Sequence, residues 1–145
     1  MRESGILFPI FSIPSKFGIG SFSEEAFKFV DFLEGAGQGF WQILPIGPTG
    51  YGNSPYQPFS AFAGNPYFIS PEVLIKDSLL TWDECNAPNF GNDETKVDYG
   101  AIYENRDDLL EKAYERFSKE GKEQAEYKAF LKKERYWLED YALFT

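Results

Sequence analysis

Between Gly47 and Tyr67 the chain sets aromatic rings among short polar side chains on a backbone rich in glycine and proline: Gly47-Pro-Thr-Gly-Tyr-Gly-Asn-Ser-Pro-Tyr-Gln57, then Ser60-Ala-Phe-Ala-Gly-Asn-Pro-Tyr67. Gly and Pro fix tight turns, which hold a tyrosine at a set angle and keep it from sinking into a core. The ligand that suits such a loop is a sugar. A pyranose has an apolar C–H face and a belt of hydroxyls. It calls for flat rings, here Tyr51, Tyr56 and Tyr67, beside groups that donate and accept, here Asn53, Ser54, Gln57, Ser60 and Asn65. The same composition suits a structural loop whose tyrosines bury their rings and bond their hydroxyls inside the domain. Residue types alone leave both readings open.

Breaking a glycosidic bond needs paired carboxylates. The candidates are Glu24/Glu25, Asp31/Glu34, Asp107/Asp108 and Glu139/Asp140. All fall on predicted helices and read as surface charges, with Glu24 and Glu25 favourably placed at a helix N-terminus. The loop acids Asp83, Glu84, Asp93, Glu94 and Asp98 could approach a calcium ion but lack EF-hand spacing, and Gly18-Ile-Gly20 lacks the third glycine of a dinucleotide fingerprint. Histidine is absent, which removes the Ser-His-Asp triad, the Cys-His dyad and imidazole metal ligation. Cys85, the single cysteine, stands among acids that raise its pKa and reads as structural. These residues point to a binding function, with no catalytic group, metal or cofactor assigned.

The elements that must carry this loop are those of an α/β protein. Gly5 to Gly20 is apolar and punctuated by Pro and Gly, which predicts an extended lead-in. Ser21-Phe-Ser-Glu24 has capping-box spacing, so a helix is expected from there, with Phe27, Val30, Phe32 or Leu33, and Ala36 on its apolar face and Gly35 and Gly37 at its end. Phe40-Trp-Gln-Ile-Leu-Pro-Ile46 predicts a buried strand, and the tyrosine loop leaves its C-terminal end, where α/β barrels build their sites. Phe68 to Ile75 suggests an extended piece leading into a helical turn, and Leu80 to Gly100 reads as mostly loop. Asn105 or Asp107 is expected to cap a second helix with Leu109, Leu110, Ala113, Tyr114 and Phe117 inward, ended by Gly121. A third helix begins near Glu123 and runs into an apolar stretch with no stop signal at Thr145, which reads as a truncated chain.

With 145 residues, 43% of them hydrophobic and 19% aromatic, the chain can fold around one core. Its net charge of −9 without a basic cluster argues against nucleic acid and accommodates a neutral substrate. No apolar stretch approaches the roughly 20 residues of a membrane span, so no membrane partner is expected. The lone cysteine and the lack of a secretory pattern favour the cytoplasm.

Several segments resemble the N-terminal part of the amylomaltases, the disproportionating 4-alpha-glucanotransferases. They are Ser4-Gly-Ile-Leu7, Ser12-Ile-Pro-Ser15, Phe17-Gly-Ile-Gly20, Trp41-Gln-Ile-Leu-Pro-Ile-Gly-Pro-Thr-Gly-Tyr-Gly52, Ser54-Pro-Tyr-Gln57, Phe59-Ser-Ala-Phe-Ala-Gly-Asn-Pro-Tyr67, Val97-Asp-Tyr-Gly100 and Trp137-Leu-Glu-Asp-Tyr-Ala-Leu-Phe144. The resemblance implies the N-terminal fragment of a (β/α)8 TIM barrel with part of an inserted helical subdomain. Residues 1–75 would start the catalytic barrel, with lead-in, first helix, first strand and substrate loop, and residues 76–145 would form the inserted loop and helical region. It further implies transfer between maltooligosaccharides and α-1,4-glucans by a retaining mechanism, with nucleophile and acid beyond Thr145. By resemblance Tyr56 stacks on the glucose ring next to the scissile bond with Ser54, Gln57 and Asn53 beside it, and Tyr51 and Tyr103 form a second glucan site. Asn53 stands where the family more often has Asp, and Phe8-Pro-Ile-Phe11 replaces the common Leu-His-Pro-Thr. Two other readings remain open: a non-catalytic α-glucan-binding module, and a hydrolase of the wider α-amylase group.

Overall fold

The structure, a computed structural model, describes residues 2–93, 95–120 and 124–145. Two short strands, β1 (Gly5–Leu7) and β2 (Phe40–Gln42), pair in parallel, with Gly5 opposite Phe40 and Leu7 opposite Gln42. A parallel pair needs a crossover, and the helix α1 (Glu24–Gly35) supplies it, making a βαβ unit. The predicted strand is shorter than its apolar run and is not buried: Phe40, Gln42, Ile43 and Ile46 are exposed and Trp41 half-buried. A two-stranded sheet covers only one side of β2.

Ser23 is the N-cap of α1 by backbone position, with no side-chain cap bond, and the Ser21 hydroxyl is buried without a partner. Of the predicted face of α1 Leu33 is buried, and the rest of the buried face is one residue out of step with it. Ala26 and Leu33 are buried and Phe29 packs on Phe8 and Trp41, at ring separations of 4.9 and 5.0 Å, while Phe27, Val30 and Phe32 face outward. Five of the twelve residues of α1 are charged and share one side, and Phe27 and Phe32 lie beside them at the edges of a broad apolar arc, so periodicity alone does not select the centre of the buried face.

The lead-in turns through a single 3-10 turn at Ile10–Ser12 and sends Ile10, Ile13, Phe17 and Ile19 into the core. There they meet Tyr67, Phe68, Leu80, Cys85 and Phe90, and the long helix that closes the far side; one core thus joins residues before and after position 75. After the tyrosine loop come a 3-10 turn at Pro66–Phe68 and the helix α2 (Pro71–Lys76), capped by the Ser70 hydroxyl, which accepts from the Val73 amide. Within the expected loop 80–100 the chain folds a short helix, α3 (Trp82–Asn86). Its cause is a capping box: the Thr81 hydroxyl accepts from the Glu84 amide, and the Glu84 carboxylate accepts from the Thr81 amide.

The helix α4 (Tyr99–Glu120) starts earlier than Asn105 or Asp107 would place it. Asp98 is the residue at its start, accepting from the Ala101 amide at 3.0 Å, and Asn105 instead donates to the carbonyls of Asn89 and Ala101. Its buried stripe is Ile102, Arg106, Leu109 and Ala113, with Tyr114 exposed and Leu110 and Phe117 half-buried. The expected stop at Gly121 lies outside the described residues, as does Glu123. The helix α5 (Ala125–Phe144) buries no residue fully and lays its aromatic side against the tyrosine loop. Among the described residues no helix is long and apolar enough to cross a membrane.

Candidate functional site

The tyrosine loop is pinned at its base and exposed at its tip. Thr49 and Pro58 form an isolated antiparallel bridge, and at Gly47 an added Cβ would come within 2.7 Å of the Pro58 Cβ, so the two legs close only because position 47 has no side chain. Two tight turns fill the tip: the Asn53 amide donates to the Gly50 carbonyl and the Gln57 amide to the Ser54 carbonyl, at 3.1 and 3.2 Å. Asn53 has φ of +54°, a left-handed conformation that Asn adopts more easily than most residues. Tyr51 is fully exposed, Tyr56 is 68% exposed, and the side chains of Ser54 and Asn53 are half-buried with Gln57 exposed beside them.

The structure divides the sequence-predicted polar set in two. Ser60 and Asn65 serve the backbone. The Ser60 hydroxyl accepts from the amides of Phe62 and Ala63, and the Asn65 Oδ1 accepts from the Tyr67 amide at 2.9 Å while its own amide donates to Ile46. Asn53, Ser54 and Gln57 keep their side chains for the surface, with no hydrogen-bond partner among the described residues. Tyr67 is corrected from ligand ring to core ring: it is buried, and burial pushes its hydroxyl pKa up to about 12, with Asp107 adding to the rise.

Tyr103 lies one turn into α4, 52% exposed, its ring edge-on to that of Tyr67 at 5.8 Å. The structure does not bring it into ring contact with Tyr51. Three residues on, Arg106 is wholly buried and donates from Nη2 to the carbonyls of Tyr67 (3.3 Å) and Ile69 (2.7 Å). Burial lowers its pKa to about 10, opposed by the charge of Glu72, so it remains a cation at neutral pH. Sequence reasoning missed it. The signal was present, since an arginine four residues after Ile102 and three before Leu109 sits on the inward stripe of the helix. On the opposite side, Phe59 stacks on Tyr141 at 6.2 Å with rings 8° from parallel, and Phe62 stacks on Trp137 at 5.8 Å. The loop is thus held between α4 and α5.

A family model for 4-alpha-glucanotransferase matches residues 8–145. The chain belongs to the 4-alpha-glucanotransferase family. The 4-alpha-glucanotransferase of Clostridium butyricum is 48% identical over 135 residues, covering 93% of this chain and 27% of that protein. That of Thermus thermophilus is 41% identical over 145 residues, covering 99% and 28%. The solved amylomaltase from Streptococcus agalactiae, in complex with acarbose, superposes with a TM-score of 0.89 at 43% identity, over 94% of this chain and 28% of that one. The chain therefore spans little more than a quarter of the length of these 4-alpha-glucanotransferases.

Glu24, Glu25, Asp31, Glu34, Asp107, Asp108, Glu139 and Asp140 are all exposed, as expected of surface charges, and several pair with cations there. Glu24 and Glu25 pair with Lys28, Glu24 also faces Lys76, and Glu139 pairs with Arg135. Glu84 is gripped through both oxygens by Arg116, at 2.6 and 2.8 Å, which together with Thr81 holds its pKa near 2. Asp93 accepts from Thr95, Asp98 begins α4, Asp83 is exposed, and Glu94 lies outside the described residues. Among the described residues no cluster of three His, Cys, Asp or Glu could hold a metal. Cys85 is buried, and burial more than its acidic neighbours pushes its thiol pKa up. A groove of about 1460 Å³ runs between the 11–20 segment and α3, lined by Ile13, Lys16, Glu72, Trp82 and Cys85; none of the predicted sugar-binding residues lines it. The candidate site is a presented surface, not a cavity.

Proposed function

We propose that this chain supplies substrate-binding surface to a 4-alpha-glucanotransferase that moves α-1,4-glucan segments between maltodextrins. In a retaining double displacement a carboxylate takes the glucan as a covalent glycosyl-enzyme, a carboxylic acid protonates the departing oxygen, and the 4-hydroxyl of a second glucan replaces water in the second step. Those two carboxyl groups are expected beyond Thr145. Residues 1–75 act as the start of a catalytic (β/α)8 barrel and residues 76–145 as its inserted helical region, in a cytoplasmic enzyme.

Tyr56 stacks on the glucose unit beside the scissile bond, with Ser54, Gln57 and Asn53 bonding its hydroxyls. Tyr51 and Tyr103 hold a longer glucan away from the catalytic centre. One observation carries this reading: Tyr56 remains 68% exposed on a loop whose base is closed by the Thr49–Pro58 bridge, so a large ring is presented on a fixed frame with nothing of its own to cover it. Asn53 fits the same frame through its backbone, where an uncharged amide side chain serves the left-handed turn.

Tyr56→Ala in the complete enzyme is expected to lower kcat/KM for transfer from maltotriose by at least about tenfold, on the order of 1.4 kcal/mol of transition-state binding. Steady-state glucose release from maltotriose checks it, and unchanged kinetics would remove Tyr56 from the site.

A further inference from the structure

Arg106 occupies a position where an apolar side chain would be cheaper. It stands in the inward stripe between Ile102 and Leu109, with no exposed surface, and its guanidinium carbon lies 5.9 Å from the Phe90 ring centre. Its Nε and Nη1 are buried without partners. Burying a cation costs free energy that two carbonyl acceptors offset only in part, and a hydrocarbon of similar volume would often leave the fold equally stable. Stability is thus a poor reason for an arginine here, and geometry is a better one. A single planar Nη2 carries two hydrogens in a fixed fork, and these meet carbonyls two residues apart.

The Tyr67 carbonyl ends a series of hydrogen bonds that reaches back to Ile46. Ile46, just after β2, accepts from the Asn65 amide at 2.7 Å; the Asn65 side chain accepts from the Tyr67 amide; the Tyr67 carbonyl accepts from Arg106. The tyrosine loop leaves the chain after Ile46 and returns at Asn65, so both its ends are tied through this series to α4. Tyr103 sits on the same helix, three residues before Arg106, with its ring against Tyr67.

We propose that Arg106 is a positioning residue for glucan binding: by holding the Tyr67 and Ile69 carbonyls to α4, it fixes Tyr103 relative to the loop that bears Tyr51. This rests on the reading of Tyr51 and Tyr103 as a second glucan site. Tyr51 and Tyr56 are both set by the loop's own bridge and turns; Arg106 sets that loop relative to Tyr103, which the Tyr56 contact does not use.

The test uses the complete enzyme with maltotriose and long amylose as donors. Arg106→Lys keeps the charge but loses the planar fork. It is expected to raise the half-saturating amylose concentration at least about fivefold while leaving kcat for maltotriose within about twofold, and to have little further effect on amylose in a Tyr103→Ala background. Asn65→Ala removes the middle link of the same series and is expected to give the same split, which keeps the test decisive if the arginine variant fails to fold. A parallel loss on both donors, or an amylose effect that adds fully to that of Tyr103→Ala, overturns the positioning role. Tyr103→Ala with no effect on amylose by itself overturns it differently, by removing the second site on which it depends.

Discussion

At the scale of the residue, exposure separates rings that the sequence cannot rank. Tyr51, Tyr56 and Tyr67 look alike in a loop of glycine and proline, yet the first two face solvent and the third faces the core. The distinguishing cause lies in Asn65, whose side chain caps the turn that carries Tyr67 inward. For Tyr51→Ala, transfer between short oligosaccharides is expected to be preserved while binding of long glucans weakens by about 1 kcal/mol, roughly fivefold. Binding isotherms with maltotriose and with amylose check this, and equal losses on both would argue against a separate second site.

At the scale of the element, what was legible followed from local signals, and what was misread followed from their competition. The Ser-rich entry to α1, the loop after β2 and the two long helices were readable because their signals are local. The Thr81-to-Glu84 capping box is equally local, but the Asn, Asp, Pro and Gly that follow it masked a five-residue helix. Asp98 has the same capping chemistry as Asn105 and Asp107 but stands farther from the apolar stripe, so sequence alone favours the later residues. The Glu84 carboxylate links α3 to α4 through Arg116, and its pKa falls from 4.5 to about 2 on pairing with Arg116 and Thr81. A carboxyl whose pKa is lower in the folded state stabilises above its unfolded value, and this contribution disappears as the pH falls through the folded one. The Tm difference between wild type and Glu84→Gln should therefore be full above pH 4.5 and close as the pH approaches about 2; a difference independent of pH would contradict the pairing.

At the scale of the whole molecule, the apolar faces outnumber the surfaces that cover them. Phe27 and Phe32 on α1, Phe40 on β2, and Leu143 and Phe144 on α5 are all exposed. This is why the strand read as buried from its composition while the structure leaves it open: sequence pattern records what a face is suited to meet, and a two-stranded sheet meets little of it. The 145-residue chain prepared alone should elute above its 16.6 kDa mass in size-exclusion chromatography and bind a hydrophobic dye. A monodisperse monomer that leaves the dye dark would show those faces to be satisfied within the chain.

The contact between α5 and the loop has an optical consequence. Trp137 lies against Phe62, its indole N–H bonded to Glu134 at 2.7 Å, while Trp41 and Trp82 sit elsewhere, on β2 and α3. Any shift of the loop relative to α5 changes the surroundings of one indole among three, so with Trp41 and Trp82 replaced by phenylalanine, the emission of Trp137 becomes a built-in gauge of loop position.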